Sequence, residues 1–150
     1  MGRTSINGQF APRTIEMIRS PAFCVLSLSA RRVLDRLEIE LADHGGKDNG
    51  RLPVTYADFH HFGIDRHAIA PAIREVEALG FVEVTERGRA GNAEFRSPSL
   101  YRITYRHSGR YGPTDEWRRI GEQEALAIAR AARQASQKQK SSGGKRQLSV

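Results

Sequence analysis

The spacing of apolar residues changes at Gly80, and the change limits the folds open to this chain. Before Gly80, apolar residues recur at helical spacing in three capped segments. Ala30, Val33, Leu34, Leu37 and Leu41 predict a helix from Ala30 to His44, with Ser29 as N-cap and Gly45 just past its end. Thr55 caps a brief helix to Phe62, with Asp58 in the capping-box position. Asp65 caps the next, from Arg66 to Leu79. At each start the residue before the cap and the fourth helical residue are both apolar: Leu28 with Val33, Val54 with Phe59, Ile64 with Ile69. After Gly80 the period becomes two, in Phe81–Glu86 and again in Leu100–Arg106, around a polar loop from Arg87 to Ser99. The expectation is an α+β chain of helices closed by a long hairpin.

The flanks complete the picture. Pro12 opens a short helix to Arg19, with Ile15 and Ile18 on one face. Residues 45–50 (GGKDNG) form a turn, and Arg51-Leu52-Pro53-Val54 reads as an edge strand that tolerates proline. From Thr114 a further helix carries a thin stripe of Trp117, Ile120, Ile128, Ala131 and Ala135. The expected divisions are 1–19, an N-terminal arm; 20–106, the main domain; 107–140, a linker and C-terminal helix; and 141–150, a disordered basic tail.

Charge is unevenly placed along the 150 residues. Fifteen basic and thirteen acidic residues precede position 107, and nine basic and four acidic follow, so most of the +7 excess lies behind the domain. Bulk charge therefore argues weakly for any anionic partner. Arginine outnumbers lysine by twenty to four, which suits phosphate and guanine recognition but also follows from GC-rich codon usage. The longest uninterrupted apolar run, Ala22 to Leu26, is far too short to span a bilayer, and with one free thiol the expected location is the cytoplasm.

The order helix, short strand, helix, tight turn, helix, strand–loop–strand resembles a winged helix-turn-helix domain. The resemblance is carried by VTYADFHHFGIDRHAIAPAIREVEALGFVEVTERG, Val54 to Gly88, and by LYRITYR, which closes the hairpin. Leu79-Gly80-Phe81-Val82 is similar to the step that leads from recognition helix to wing in many members. The stretch from Ser20 through LSLSARRVLDRL also resembles short bacterial and phage helix-turn-helix proteins of mobile elements. This implies a three-helix core with a β-hairpin wing, and binding to double-stranded DNA.

The residues of the third helix can be read without that resemblance. Ile69, Ala72, Ile73, Val76 and Leu79 make its apolar face, and the opposite face presents His67, Ala70, Pro71, Arg74 and Ala78, with Arg66 beside it. A helix entering a major groove needs small residues for close approach and long donors for base edges, which Ala70, Arg74 and Arg66 supply. Pro71 predicts a bent or 3₁₀-like first turn, or a helix that begins near Ala70. In the wing, Arg87, Arg89 and Arg96 offer phosphate contacts, and Asn92 offers both donors and acceptors.

No catalytic constellation is present, and no cofactor or metal site is expected. His60 and His61 are adjacent, so on a helix they point about 100° apart and cannot chelate together. Gly88-Arg89-Ala90-Gly91 lacks the Lys-Ser/Thr of a phosphate loop. Cys24, in an apolar run, reads as inert core. The function expected is sequence-selective binding of double-stranded DNA, as a transcriptional regulator. A replication-initiator-like or excision accessory of a plasmid or phage is one alternative, and a protein-interaction module without DNA affinity is another. The Trp117 stripe is available either to a homodimer or to the domain itself.

Overall fold

The computed structural model describes residues 5–89 and 97–146, with side chains through residue 135. Its described part is mixed α+β, with six α-helices and one small antiparallel sheet, an arrangement compatible with the winged-helix expectation. In chain order the elements are α1 (Ile15–Arg19), α2 (Pro21–Cys24), α3 (Leu28–Asp43), β1 (Leu52–Val54), α4 (Tyr56–His61), α5 (Arg66–Ala78), β2 (Val82–Glu86), β3 (Ser99–Ile103), a 3₁₀ turn (Glu116–Arg119) and α6 (Glu122–Arg146).

The sheet order is β1-β3-β2, with Leu52 opposite Tyr101 and Val82 opposite Ile103. Pro53 is thus on an edge strand, where its missing N–H breaks no inner ladder. A bulge between Val84 and Glu86 shifts the register at the end of β2. Leu34, Leu37, Phe59, Ile69, Val76, Leu79, Phe81, Tyr101 and Ile103 form the centre of one core. Phe81 gathers three aromatic neighbours: Phe23 edge-on, Tyr105 edge-on, and Trp117 stacked at 6.4 Å.

The first long helix starts earlier than its sequence predicts. Ser27, not Ser29, is the cap of α3, and its Oγ accepts from the Ala30 N–H at 3.1 Å. Leu28 is 80% exposed, so the Leu28–Val33 staple does not form. What favours Ser27 lies elsewhere in the sequence: its N–H and hydroxyl both donate to Glu75 on α5. The other two staples close on buried pairs, Val54 with Phe59 and Ile64 with Ile69.

The short first helix runs only from Ile15 to Arg19 and buries Met17, leaving Ile15 and Ile18 exposed. Residues 9–11 run beside Ile39 along α3, and Gln9 donates to the Ala42 carbonyl. Cys24 is exposed rather than core, with its thiol near the Ile18 and Arg19 carbonyls.

At the far end, Thr114 caps no helix. Asp115 precedes the 3₁₀ turn, and α6 begins at Glu122. Its helical backbone continues to Arg146, into the segment expected to be a tail. The expected division at residue 107 does not separate two bodies, because Trp117 and Ala129 belong to the same core as α3 and α5. Gly80 makes that packing possible. It leaves α5 at φ +84°, and a Cβ there would lie 2.6 Å from the Trp117 backbone nitrogen.

Candidate nucleic-acid interface

Helices α4 and α5 are joined by the tight turn at Phe62–Asp65 and held by their caps. Thr55 and Asp58 make a reciprocal capping box, Asp58 N–H to Thr55 Oγ1 at 3.1 Å and Thr55 N–H to Asp58 Oδ2 at 2.9 Å. The Thr55 N–H also holds the Asp58 carboxyl below its ordinary pKa. Asp65 accepts from His67 N–H, and the Ala68 N–H reaches back only three residues, to the Asp65 carbonyl. The 3₁₀-like opening expected from Pro71 is therefore there. The helix nonetheless starts at Arg66 rather than Ala70, and Pro71 lies within it.

Arg66 and His67 sit exposed at the leading end of α5, and among the described residues their side chains make no hydrogen bond or ion pair. Ala70 and Pro71 are half-buried beside them. Arg74 is differently placed. Its Nε donates to the Ala132 carbonyl of α6 at 3.0 Å, so the side chain read from the sequence as a free base-reading donor is a tie between helices.

The wing residues divide in the same way. Arg87 is exposed but paired with Glu77 of α5, Nη2 to Oε1 at 2.9 Å. This pair joins the wing base to the outer edge of α5. Arg89 is exposed in a groove shared with Thr55, Tyr56, Ala57 and Pro98. The loop is pinched at its base, where Gly88 N–H donates to Ser99 Oγ and Arg89 N–H to Ser97 Oγ. Asn92 and Arg96 lie outside the described residues.

Two residues on this side escaped the sequence reading. Tyr56 is exposed at the first position of α4 and lines both the groove with Arg89 and the groove with Ala70, Arg74, Glu77 and Arg87. Its position straight after the Thr55 cap was the available signal. Glu75 is the other. It is only 2% exposed, on the arc of α5 that carries Ala72 and Leu79, and an acid on an apolar arc asks for buried donors. Ser27 supplies two and Arg133 of α6 a third, at 3.0 Å.

Helix α6 runs antiparallel to α5. Its approach begins where Trp117 meets Gly80, at the end of α5, and Ala132 and Arg133 lie opposite Arg74 and Glu75. Small residues, Ala125, Ala129 and Ala132, face inward and allow the close approach, whereas Ala131 of the expected stripe is exposed. Trp117, Ile120 and Ile128 pack on the chain's own core. They are therefore not an open seam for a second copy.

Among the described residues no group of three His, Cys, Asp or Glu side chains could hold a metal ion. His60 Nδ1 lies 3.1 Å from the Ile64 carbonyl, and the His60 and His61 rings are 6.2 Å apart. No helix among the described residues is long and apolar enough to cross a membrane. No family model matches this chain, and neither does any curated protein or solved structure.

Proposed function

We propose that this chain is a winged helix-turn-helix protein that binds double-stranded DNA sequence-selectively and regulates transcription by occupying an operator. The observation that carries the reading is the composite surface at one side of the molecule. There α5 leads with Arg66 and His67 uncommitted, Tyr56 and Arg87 line one groove with Ala70, Arg74 and Glu77 of the same helix, and Arg89 lies in a second groove that Tyr56 also lines. In this reading the leading turn of α5 enters the major groove, with Ala70 permitting close approach and Arg66 reaching a base edge. Arg89 meets a phosphate or the adjacent minor groove, and Tyr56 donates to the backbone. Arg74 holds α6 against α5 and sets the angle at which the reading helix is offered.

Fluorescence anisotropy titrations on a duplex of mixed sequence, at several salt concentrations, test this. Arg89→Ala is expected to lower the slope of log K against log salt by about one, because one phosphate contact is lost. On a selected site, Arg66→Ala should cost about 1–3 kcal/mol, and much less on the mixed duplex. Equal losses on both duplexes would remove Arg66 from base reading, and an unchanged slope would remove the wing from the interface.

A further inference from the structure

A second cationic groove lies at the other end of the sheet. The wing joins the end of β2 to the start of β3, whereas residues 46–51 lead into β1 and residues 106–111 lead out of β3. In an antiparallel sheet those last two segments share the end away from the wing. Between them is an open groove of about 770 Å³, lined by Lys47, Asp48, Arg51, His107, Arg110 and Tyr111 with intervening backbone.

The groove is a built feature. Asn49 is buried and staples its two walls. Its amide donates to the Ile103 and His107 carbonyls at 2.9 and 3.0 Å, and its Oδ1 accepts from Ile103 N–H at 2.7 Å. Ser108 Oγ closes onto the Asn49 carbonyl. Ser108 and Tyr111 exchange two backbone hydrogen bonds of 3.0 Å, which hold Arg110 at the tip of a tight turn.

Its charge is net positive, three cations against one carboxylate. Lys47, Arg51 and Arg110 are all exposed, and among the described residues their side chains make no ion pair. The one carboxylate lining the groove, Asp48, lies 3.1 Å from His44 Nδ1. The chain thus keeps three cations unpaired on one wall system, although it pairs Arg13, Arg87, Arg102 and Arg106 elsewhere.

We infer that this groove binds the phosphate backbone of a second DNA duplex, without reading its sequence. The choice of partner follows from the lining. Protein interfaces centre on buried apolar anchors, and here the only large apolar group is the exposed Tyr111 ring. Phosphate contacts need cations, hydroxyls and backbone, which are what the groove offers. The five residues of β3 separate the two ends by about 17 Å, so duplexes can lie at both ends of one rigid sheet. One molecule can then bridge two DNA segments. The bridging role rests on the wing-side reading above, but the groove's own affinity for phosphate does not.

The test uses three forms of the full chain: the parent, Lys47→Ala/Arg51→Ala/Arg110→Ala, and Arg66→Ala/Arg87→Ala/Arg89→Ala. Donor-labelled and acceptor-labelled 20-base-pair duplexes are mixed with each, and energy transfer between them reports bridging. The parent is expected to give transfer that salt abolishes. The groove variant should give none, yet bind a single duplex as the parent does. The wing-side variant should bind more tightly at low salt than the variant combining all six substitutions, and its salt slope should exceed that variant's by about 2–3, from the three groove cations. Transfer persisting in the groove variant would overturn the inference, as would a wing-side variant no stronger on DNA than the six-fold variant. So would an acidic polypeptide competing for the groove better than duplex DNA. If the groove variant alone loses all binding, the groove is a phosphate site but not a second one, and both the bridging role and the wing-side reading fail.

Discussion

Glu75 is where three helices are tied together, and its replacement is the sharpest structural test of how α5 is held. The carboxylate accepts from Ser27 N–H at 3.0 Å, Ser27 Oγ at 2.8 Å and Arg133 at 3.0 Å, and is almost wholly buried. Hydrogen bonds to charged groups contribute about 1.5–3 kcal/mol each, so three would sum to roughly 4.5–9 kcal/mol if independent. They are not independent, because one acceptor group serves all three. Breaking a buried pair by removing one partner costs about 3–5 kcal/mol, and the Arg133 side chain, 40% exposed, can turn partly to water. The expected cost of Glu75→Ala is therefore about 3–4 kcal/mol, a large share of the roughly 5–15 kcal/mol that holds such a domain. Arg133→Ala leaves both Ser27 bonds in place but takes the cation from the buried carboxylate and a donor from the Val25 carbonyl, and should cost about 2–3 kcal/mol. Urea unfolding followed by circular dichroism measures both. A Glu75→Ala loss below about 1 kcal/mol, or a larger loss for Arg133→Ala, would refute the reasoning.

Two other perturbations follow from the packing and the buried charge. Gly80→Ala should destabilise by about 2–4 kcal/mol, since it combines a left-handed φ with a Cβ driven into the Trp117 backbone; a thermal melt within error of the parent would contradict this. Glu38, buried 3.3 Å from Arg106 and beside Tyr105, has its pKa raised by burial above the ordinary 4.5. The folded chain then holds that proton more tightly than the unfolded chain, so stability falls as pH rises from the ordinary value through the raised one. The melting temperature of Glu38→Gln relative to the parent should accordingly be higher at pH 7 than at pH 4, and a difference independent of pH would be the contrary result.

Local chemistry made much of this fold legible. The Thr55–Asp58 box, the Asp65 cap, the Ile64–Ile69 staple and the turn at Gly80 each depend on residues within a few positions of one another. They come out in the structure where the sequence places them. The errors have a common cause in distant partners. Ser27 displaced Ser29 as cap because Glu75, far along the chain, takes its hydroxyl and amide. The Trp117 stripe looked thin for the same reason. The alanines that face α5, Ala125, Ala129 and Ala132, are small because α5 is close and fell outside that stripe, and Trp117 serves Phe81 rather than α6. Arg74 sits on the solvent side of the helical wheel, but a wheel drawn for one helix cannot show that α6 lies against that side. Arg66, His67 and Arg89 are exposed, as their places on the wheel and in the loop led one to expect, because nothing distant claims their side chains among the described residues.

The central claim, that the α5 and wing surface selects DNA by sequence, is tested most directly by selection from a random duplex pool. Repeated rounds of binding and sequencing with the parent chain should enrich a defined motif. The same selection with Arg66→Ala should relax the motif at one position while leaving the rest. A pool that remains as random after selection as before, for a folded parent chain, would contradict the account.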